Sequence, residues 1–134
     1  MAEHSNPTSV HDLADCEYVL LTTYTQDGRA KPTPVWAARD GDALVAVSDA
    51  DAWKVRRVRH QPQVTLSACD VRGNPRGGPV EGVAVVVDGD LVRRVEAALR
   101  RKYGWKMALL DLGSRFRPRA APRAGLVVRD LPAA

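Results

Sequence analysis

Residues 33–57 have the sequence TPVWAARDGDALVAVSDADAWKVRR, and they decide most of the fold. A strand that ends at Arg39 is followed by Asp40-Gly41-Asp42, which predicts a hairpin because an Asp-Gly pair accepts the positive φ of tight turns. Residues 43–48 are apolar and predict the next strand. Residues 49–52 offer a helix N-cap, and Trp53-Lys54-Val55-Arg56-Arg57 begins a short cationic helix. The pattern indicates a strand pair that brings positive charge to the mouth of a β structure.

The sequence on either side predicts further antiparallel strands. Strands are expected over residues 18–24, 32–39, 43–48, 63–70, 80–88 and 125–129. Pro32 and Pro34 cannot donate ladder hydrogen bonds, so we expect the second strand at a sheet edge or beside a bulge. Gly82 is expected to mark a β-bulge in the fifth strand.

Helical periodicity replaces strand alternation after residue 90. The apolar face of a helix over residues 91–103 holds Leu91, Val92, Val95, Ala98 and Leu99. A further short helix is expected over residues 105–112. Six strands and three short helices predict a mainly β chain, arranged as an antiparallel β-barrel rather than a parallel α/β sheet.

Length and composition indicate one globular domain. The 134 residues are 45% hydrophobic and 27% charged, which is typical of folded chains. We expect a single domain over residues 1–134, with a loosely ordered N-terminus over 1–14 and an exposed basic loop over 113–124. No apolar run approaches a membrane span and no secretory leader is visible, so we expect a cytoplasmic protein without a membrane partner.

Cysteine and histidine usage predicts neither a disulfide nor a metal. Cys16 and Cys69 are far apart and outside any CxxC spacing, which favours free thiols. The three histidines are scattered and offer no zinc ligand set.

Charge is unevenly distributed along the chain. Residues 1–92 hold nine Lys and Arg against 13 Asp and Glu, whereas residues 93–134 hold 11 against three. A basic C-terminal third indicates either an anionic ligand or a nucleic-acid surface. Nucleic acid is the less favoured partner, because aromatic residues are few and are not interleaved with the basic run.

No self-sufficient catalytic motif occurs in the sequence. G-x-S-x-G, P-loop and G-x-G-x-x-G motifs are absent, and no carboxylate pair is distinct from the solvated turns. The chain therefore either uses a bound cofactor for catalysis or is not a catalyst.

The basic helix is the main candidate for holding an anion. Lys54 and Arg57 are three residues apart, so they share a helix face close to the N-terminal amides. Spacing alone favours a solvated cationic face over a phosphate site. Ser48 either donates a hydroxyl to that site or caps the helix. Trp36 either packs in the core or forms a wall for a flat ring.

Several motifs, in order, resemble the split β-barrel proteins related to pyridoxamine 5′-phosphate oxidase, which have an FMN-binding-protein-like fold. The matching segments are YVLLTT at 18–23, DGRAKPTPVW at 27–36, DGD at 40–42, KVRRVRHQPQV at 54–64 and VEGVA at 80–84. RKYGW at 101–105 resembles the actinobacterial subgroup of F420 (deazaflavin)-dependent enzymes. Together they extend from about residue 18 to residue 128.

The resemblance implies a six-stranded split β-barrel and a homodimer with cofactor sites at the subunit interface. It implies that Lys54 holds the cofactor phosphate, that Arg57 assists, and that Ser48 contacts the linker beside the phosphate. The ring would be lined by Thr33, Pro34, Val35 and Trp36. The cofactor would be F420, with FMN as the alternative, because F420 has a phosphate and an oligoglutamate tail that suit the cationic surplus.

The implied function is an F420-dependent oxidoreductase that transfers hydride between F420 and a small organic substrate. The alternative is a non-catalytic protein that binds or sequesters F420 or FMN, and the sequence does not separate the two.

Overall fold

Seven antiparallel strands and three short helices make up the part of the protein that the structure, a computed structural model, describes: residues 7–104 and 122–132. The strands are β1 (Tyr18–Tyr24), β2 (Ala30–Val35), β3 (Ala38–Asp40), β4 (Ala43–Asp49), β5 (Gln63–Cys69), β6 (Val80–Val87) and β7 (Arg123–Asp130). The helices are a 3₁₀ helix (Val10–Leu13), α1 (Trp53–His60) and α2 (Asp90–Tyr103). The mainly β, antiparallel fold is confirmed. The helix predicted over 105–112 and the basic loop as far as residue 121 lie outside the described residues.

One curled sheet contains all seven strands, in the order β2-β1-β5-β6-β7-β4-β3. The edge position predicted from the prolines of β2 is confirmed, since β2 is the first strand of this order. β7 begins at Arg123, two residues before the predicted strand. Within the described ranges, no helix is long and apolar enough to cross a membrane.

The strand predicted over residues 32–39 is in fact two strands on opposite edges of the sheet. β2 pairs with β1 and ends at Val35, whereas β3 pairs with β4 and begins at Ala38. Between them, the Ala37 amide donates to the Tyr103 hydroxyl at 3.0 Å and the Ala37 carbonyl accepts from Lys102 Nζ at 2.6 Å. These backbone groups bond to α2 instead of to a neighbouring strand. The chain therefore crosses from one edge of the sheet to the other here, and the strand count is seven rather than six.

The inner face of the sheet, defined by Val19 and Leu21 of β1, faces the main apolar core. Other buried members of this core are Leu44, Val64, Leu66, Leu126 and Val128. Val55 and Val58 of α1 are buried in the same core, as their spacing predicts. Each fully buried side chain of this size contributes roughly 1.5–3 kcal/mol. Two valines thus hold α1 on the sheet and leave its cationic side chains for other contacts.

The N-terminal 3₁₀ helix docks onto this core. Val10 is 0% exposed and Leu13 is 2% exposed. The Val10 amide and the Ser9 hydroxyl donate to the Asp130 carboxylate of β7, at 2.7 and 2.8 Å. Two apolar side chains and one carboxylate thus attach residues 7–14, part of the N-terminus expected to be loosely ordered, to the sheet. Residues 1–6 lie outside the described part of the chain.

On the outer face, α2 packs against β3 and β4 and forms a second apolar cluster. Its buried members are Ala38, Val45, Val95, Ala98, Leu99 and Tyr103. Of the predicted apolar face, Val95, Ala98 and Leu99 belong to this cluster. Val92 is buried but is not a member of it, and Leu91 is 55% exposed.

Tyr103 ties α2 to two distant parts of the chain. Its hydroxyl accepts from the Ala37 amide at 3.0 Å and donates to the Glu17 carbonyl at 2.7 Å. Beside it, Lys102 Nζ donates to the carbonyls of Cys16 and Ala37 at 2.5 and 2.6 Å. The last turn of α2 therefore fixes both the start of β1 and the junction between β2 and β3.

We expect Tyr103→Phe to lower the free energy of unfolding by about 1.5 kcal/mol at about pH 7, because the buried Ala37 amide loses its acceptor. Burial also raises the pKa of Tyr103 to about 12 from 10.0. The unfolded chain thus ionises first, and the wild type loses part of this stability as the pH rises above 10.0. Urea unfolding of both proteins at two pH values measures the difference, which should shrink at alkaline pH. Equal stability at about pH 7 would show that the hydroxyl is dispensable.

Candidate functional site

Strand register divides the segment 33–36 between the two faces of the sheet. Thr33 pairs with Leu21 and Val35 pairs with Val19, and paired residues share a face. Thr33 and Val35 therefore lie on the inner face. Pro34 pairs with Leu20 and lies on the outer face, near Gly73 of the loop after β5. The four consecutive residues expected to line the cofactor ring therefore do not form one surface, because only alternate residues of a strand face the same way.

Trp36 belongs to the outer apolar cluster rather than to the inner face. Its ring stacks on Tyr103 with centroids 4.6 Å apart and an angle of 9° between the planes. One face of the indole is therefore already covered by α2. Trp36 packs against apolar neighbours and remains half-buried. Both interpretations, core packing and a wall for a flat ring, are therefore compatible with the structure.

Arg57 is held on the inner face by a buried threonine. Its Nε donates to Thr23 Oγ1 at 2.7 Å, and Thr23 is 1% exposed. The same hydroxyl donates to the Lys31 carbonyl at 3.5 Å, so it is oriented by β2 and accepts from the guanidinium in a fixed direction. Thr23 pairs with Lys31, and Thr33 is the next inward residue along β2. The contact therefore places Arg57 beside the part of β2 that presents Thr33.

Lys54 lies one helical turn before Arg57 and is half-buried. Burial lowers the pKa of Lys54 below its ordinary 10.5, the neighbouring Arg57 lowers it further, and the Asp49 carboxylate opposes both. Among the described residues, Lys54 has no salt bridge. A partly dehydrated ammonium beside a second cation gains free energy when it meets an anion.

Ser48 lies near the end of β4, where it pairs with Ala124 of β7. Four residues separate it from the buried Leu44 on the same strand, so both point to the inner face. The capping role considered for Ser48 is not found, because the N-cap of α1 is Ala52 and no side chain caps this helix. The Val55 and Arg56 amides already donate to the Ala52 carbonyl at 3.1 Å. Among the first amides of α1, those of Trp53 and Lys54 are therefore available to an anion.

The structure thus places part of the predicted site on one face of the sheet. Thr33, Val35, Ser48 and Arg57 share the inner face, and Lys54 adjoins Arg57 and Asp49. Pro34 and Trp36 lie apart from them. Thr23 is the residue that the sequence interpretation missed, and its signal is its inward position in the alternation of Val19 and Leu21. In the described part of the chain no His, Cys, Asp and Glu cluster could hold a metal ion.

Comparison with known proteins identifies the family of the chain. The family model described as pyridoxamine 5′-phosphate oxidase matches residues 8–129. The chain belongs to this family. No curated protein matches it closely enough to add a function.

Solved structures of similar fold include an F420 reductase, with 24% identity over 94% of this chain and 96% of that chain, and a TM-score of 0.62. Another is the heme storage protein of Vibrio cholerae, with 16% identity, 87% and 83% coverage, and a TM-score of 0.63. A third, described as a domain-swapped dimer, has 13% identity, 84% and 79% coverage, and a TM-score of 0.58. At these identities the likeness establishes the fold of this family member.

Proposed function

We propose that this family member is an F420-dependent oxidoreductase of the actinobacterial type that RKYGW at 101–105 resembles. The observation that supports it most directly is the cation pair on α1. Lys54 is half-buried without a salt bridge among the described residues, and Arg57 beside it is fixed by the buried Thr23. Such a pair suits a phosphate, which accepts charge-assisted hydrogen bonds.

Each inner-face residue has a distinct part in holding the cofactor. Lys54 and Arg57 would bind the phosphate, and the Ser48 hydroxyl would donate to the adjoining linker. Thr33 and Val35 would contact the deazaflavin ring. F420 supplies hydride transfer to or from a small organic substrate, while these side chains position it and exclude water.

Pro34 and Trp36 could contact the cofactor only if a second copy of the chain brought them to it. They lie on the other face of the sheet from Thr33 and Val35. A homodimer with the cofactor at its interface would let a ring touch inner-face residues of one subunit and outer-face residues of its partner. Without such an interface, Pro34 and Trp36 would have no direct part in binding.

The test begins with titration of the purified protein with F420 and, separately, with FMN, followed by tryptophan fluorescence. We expect saturable F420 binding and weaker FMN binding. Absence of F420 binding at tens of micromolar would overturn the proposal. Reduced F420 with electron-poor acceptors such as quinones or biliverdin then tests turnover, and its oxidation above the protein-free rate is the expected result.

Binding without turnover would instead support the second candidate, a non-catalytic protein that sequesters F420 or FMN. One feature of the site favours this alternative. Within the described residues, the inner face offers cations and hydroxyls, namely Lys54, Arg57, Ser48 and Thr33, but no matched acid and base for proton transfer.

Affinity for F420 is expected to fall as the pH rises through the pKa of Lys54. A bound phosphate favours the charged ammonium, so binding is strong below this pKa and is lost above it. Because burial lowers the pKa in the free protein, the loss begins below 10.5. Titrations from about pH 7 upward measure it, and Lys54→Arg should move the loss to higher pH because a guanidinium stays charged. An affinity that is constant up to pH 10.5 would contradict this role.

A further inference from the structure

A groove of about 560 Å³ lies between the β1–β2 turn and the exposed side of α1. Asp27 and Arg29 of the turn form one wall, and Trp53, Arg56, Arg57 and His60 of α1 form the other. This volume falls within the range of small-molecule sites, roughly 300–1,000 Å³. Only Arg57 is shared with the proposed cofactor site.

Positive charge predominates in this groove. Its one acidic side chain, Asp27, already accepts from the Thr25 hydroxyl and from Arg29 Nε. Within the ranges 7–104 and 122–132, neither Arg56 nor Arg57 forms a salt bridge. Two guanidinium groups therefore face the groove without a counter-charge, and such groups bind phosphate and carboxylate well.

Trp53 is 69% exposed at the edge of this groove. The core does not need it, because Val55 and Val58 supply the buried face of α1. The Arg56 guanidinium lies 5.1 Å from the centre of the Trp53 ring, so the pair already forms a cation–π contact. An exposed indole held beside cations offers a flat surface on which another ring can stack.

The Arg57 side chain of the groove is held in one orientation. Its Nε is committed to the buried Thr23, which orients the planar guanidinium. The remaining N–H groups of Arg57 have no partner in the described part of the chain. A guanidinium that is oriented in advance loses less entropy when it binds an anion.

We propose that this groove binds a small planar anion, an aromatic ring that bears a phosphate or a carboxylate. The ring stacks on Trp53, and the acidic group bonds to Arg56 and Arg57. This inference shares Arg57 with the F420 proposal but is tested separately, because Trp53 and Arg56 belong to the groove and not to the proposed cofactor site.

Isothermal titration calorimetry with adenosine 5′-monophosphate and with salicylate tests the phosphate and the carboxylate form. Adenosine and ribose 5-phosphate serve as the ring without charge and the charge without ring. We expect saturable binding of at least one planar anion, and weaker binding of both partial probes. Absence of saturation by either planar anion at about 1 mM would overturn the proposal.

Single substitutions test whether the planar anion binds in this groove. Trp53→Ala should weaken binding about tenfold through the lost stacking surface, and Arg56→Gln should weaken it several-fold. Trp53→Phe, which keeps a flat ring, should bind nearly as well as the wild type. The matched control is Arg59→Gln, an exposed residue of the same helix that does not line the groove, and its affinity should not change.

Two results for Trp53→Ala would overturn the assignment, once circular dichroism has confirmed that the variant folds. One is an affinity equal to that of the wild type with the oligomeric state unchanged. The other is an equal affinity together with a smaller assembly in analytical ultracentrifugation, which would place Trp53 in a subunit interface instead.

Discussion

Lys54→Ala is expected to weaken F420 binding by about 10- to 100-fold, because one charge-assisted hydrogen bond contributes roughly 1.5–3 kcal/mol. The effect should lie towards the upper end, since Lys54 is half-buried and its ammonium is screened less by water than that of a surface lysine. Fluorescence titration of both proteins at low and at moderate salt measures it. The variant should also show a smaller dependence of affinity on salt.

Two further variants give this prediction its control. Lys54→Arg keeps the charge and should retain most of the affinity at about pH 7, because a guanidinium also binds phosphate. Arg59→Ala removes a cation from an exposed position on the same helix and should leave binding nearly unchanged. If Arg59→Ala and Lys54→Ala weakened binding equally, attraction by the overall charge of α1 would explain the effect, and the phosphate role of Lys54 would be wrong.

Local pattern was sufficient to predict most of the elements. Several signals depend only on neighbours within a few residues of the chain: the alternation of Val19, Leu21 and Thr23, the Asp40-Gly41 turn and the valines of α1. These signals also identified the edge strand, because a proline affects the ladder wherever the strand lies.

Long-range contacts explain what the sequence did not predict. The break between β2 and β3 depends on Tyr103 and Lys102, which take the backbone bonds of Ala37 from 65 or more residues away. The docking of the 3₁₀ helix depends on Asp130 at the other end of the described chain. None of these three partners is visible in a local pattern, because a tyrosine, a lysine or an aspartate at such a position is equally typical of a solvated surface.

The sequence proposed which residues form the candidate site, but it did not predict how they are arranged. Sequence reasoning assigned Thr33, Pro34, Val35 and Trp36 to a single wall, although neighbours in a strand point to opposite faces. Only the register with β1 shows which alternate residues face inward. Likewise, spacing identified Lys54 and Arg57 as neighbours, but the bond between Arg57 and Thr23 required the packed helix. The residue types were a local property, whereas their orientation was a property of the fold.

Gly82→Val is expected to lower the free energy of unfolding by about 3 kcal/mol, because overpacking in a close-packed core forces side chains or backbone to move. Gly82 pairs in continuous register with Val64 and Asp130, so the bulge predicted there is wrong. A Cβ at this position would lie 2.9 Å from the Arg129 carbonyl oxygen and 3.0 Å from Val10 Cγ1. The glycine is therefore needed for the close approach of β7 and the 3₁₀ helix.

Urea unfolding of the wild type and of two variants checks this expectation. Gly77→Val is the matched control, because Gly77 is exposed and a Cβ there would meet nothing within 4 Å. Its free energy of unfolding should change by less than about 0.5 kcal/mol. Valine favours strands, which offsets part of the cost at Gly82 but cannot remove a contact with backbone oxygen. If both variants unfolded at the same urea concentration as the wild type, the 3₁₀ helix would not be packed against β6, and Val10 would be free to leave the core.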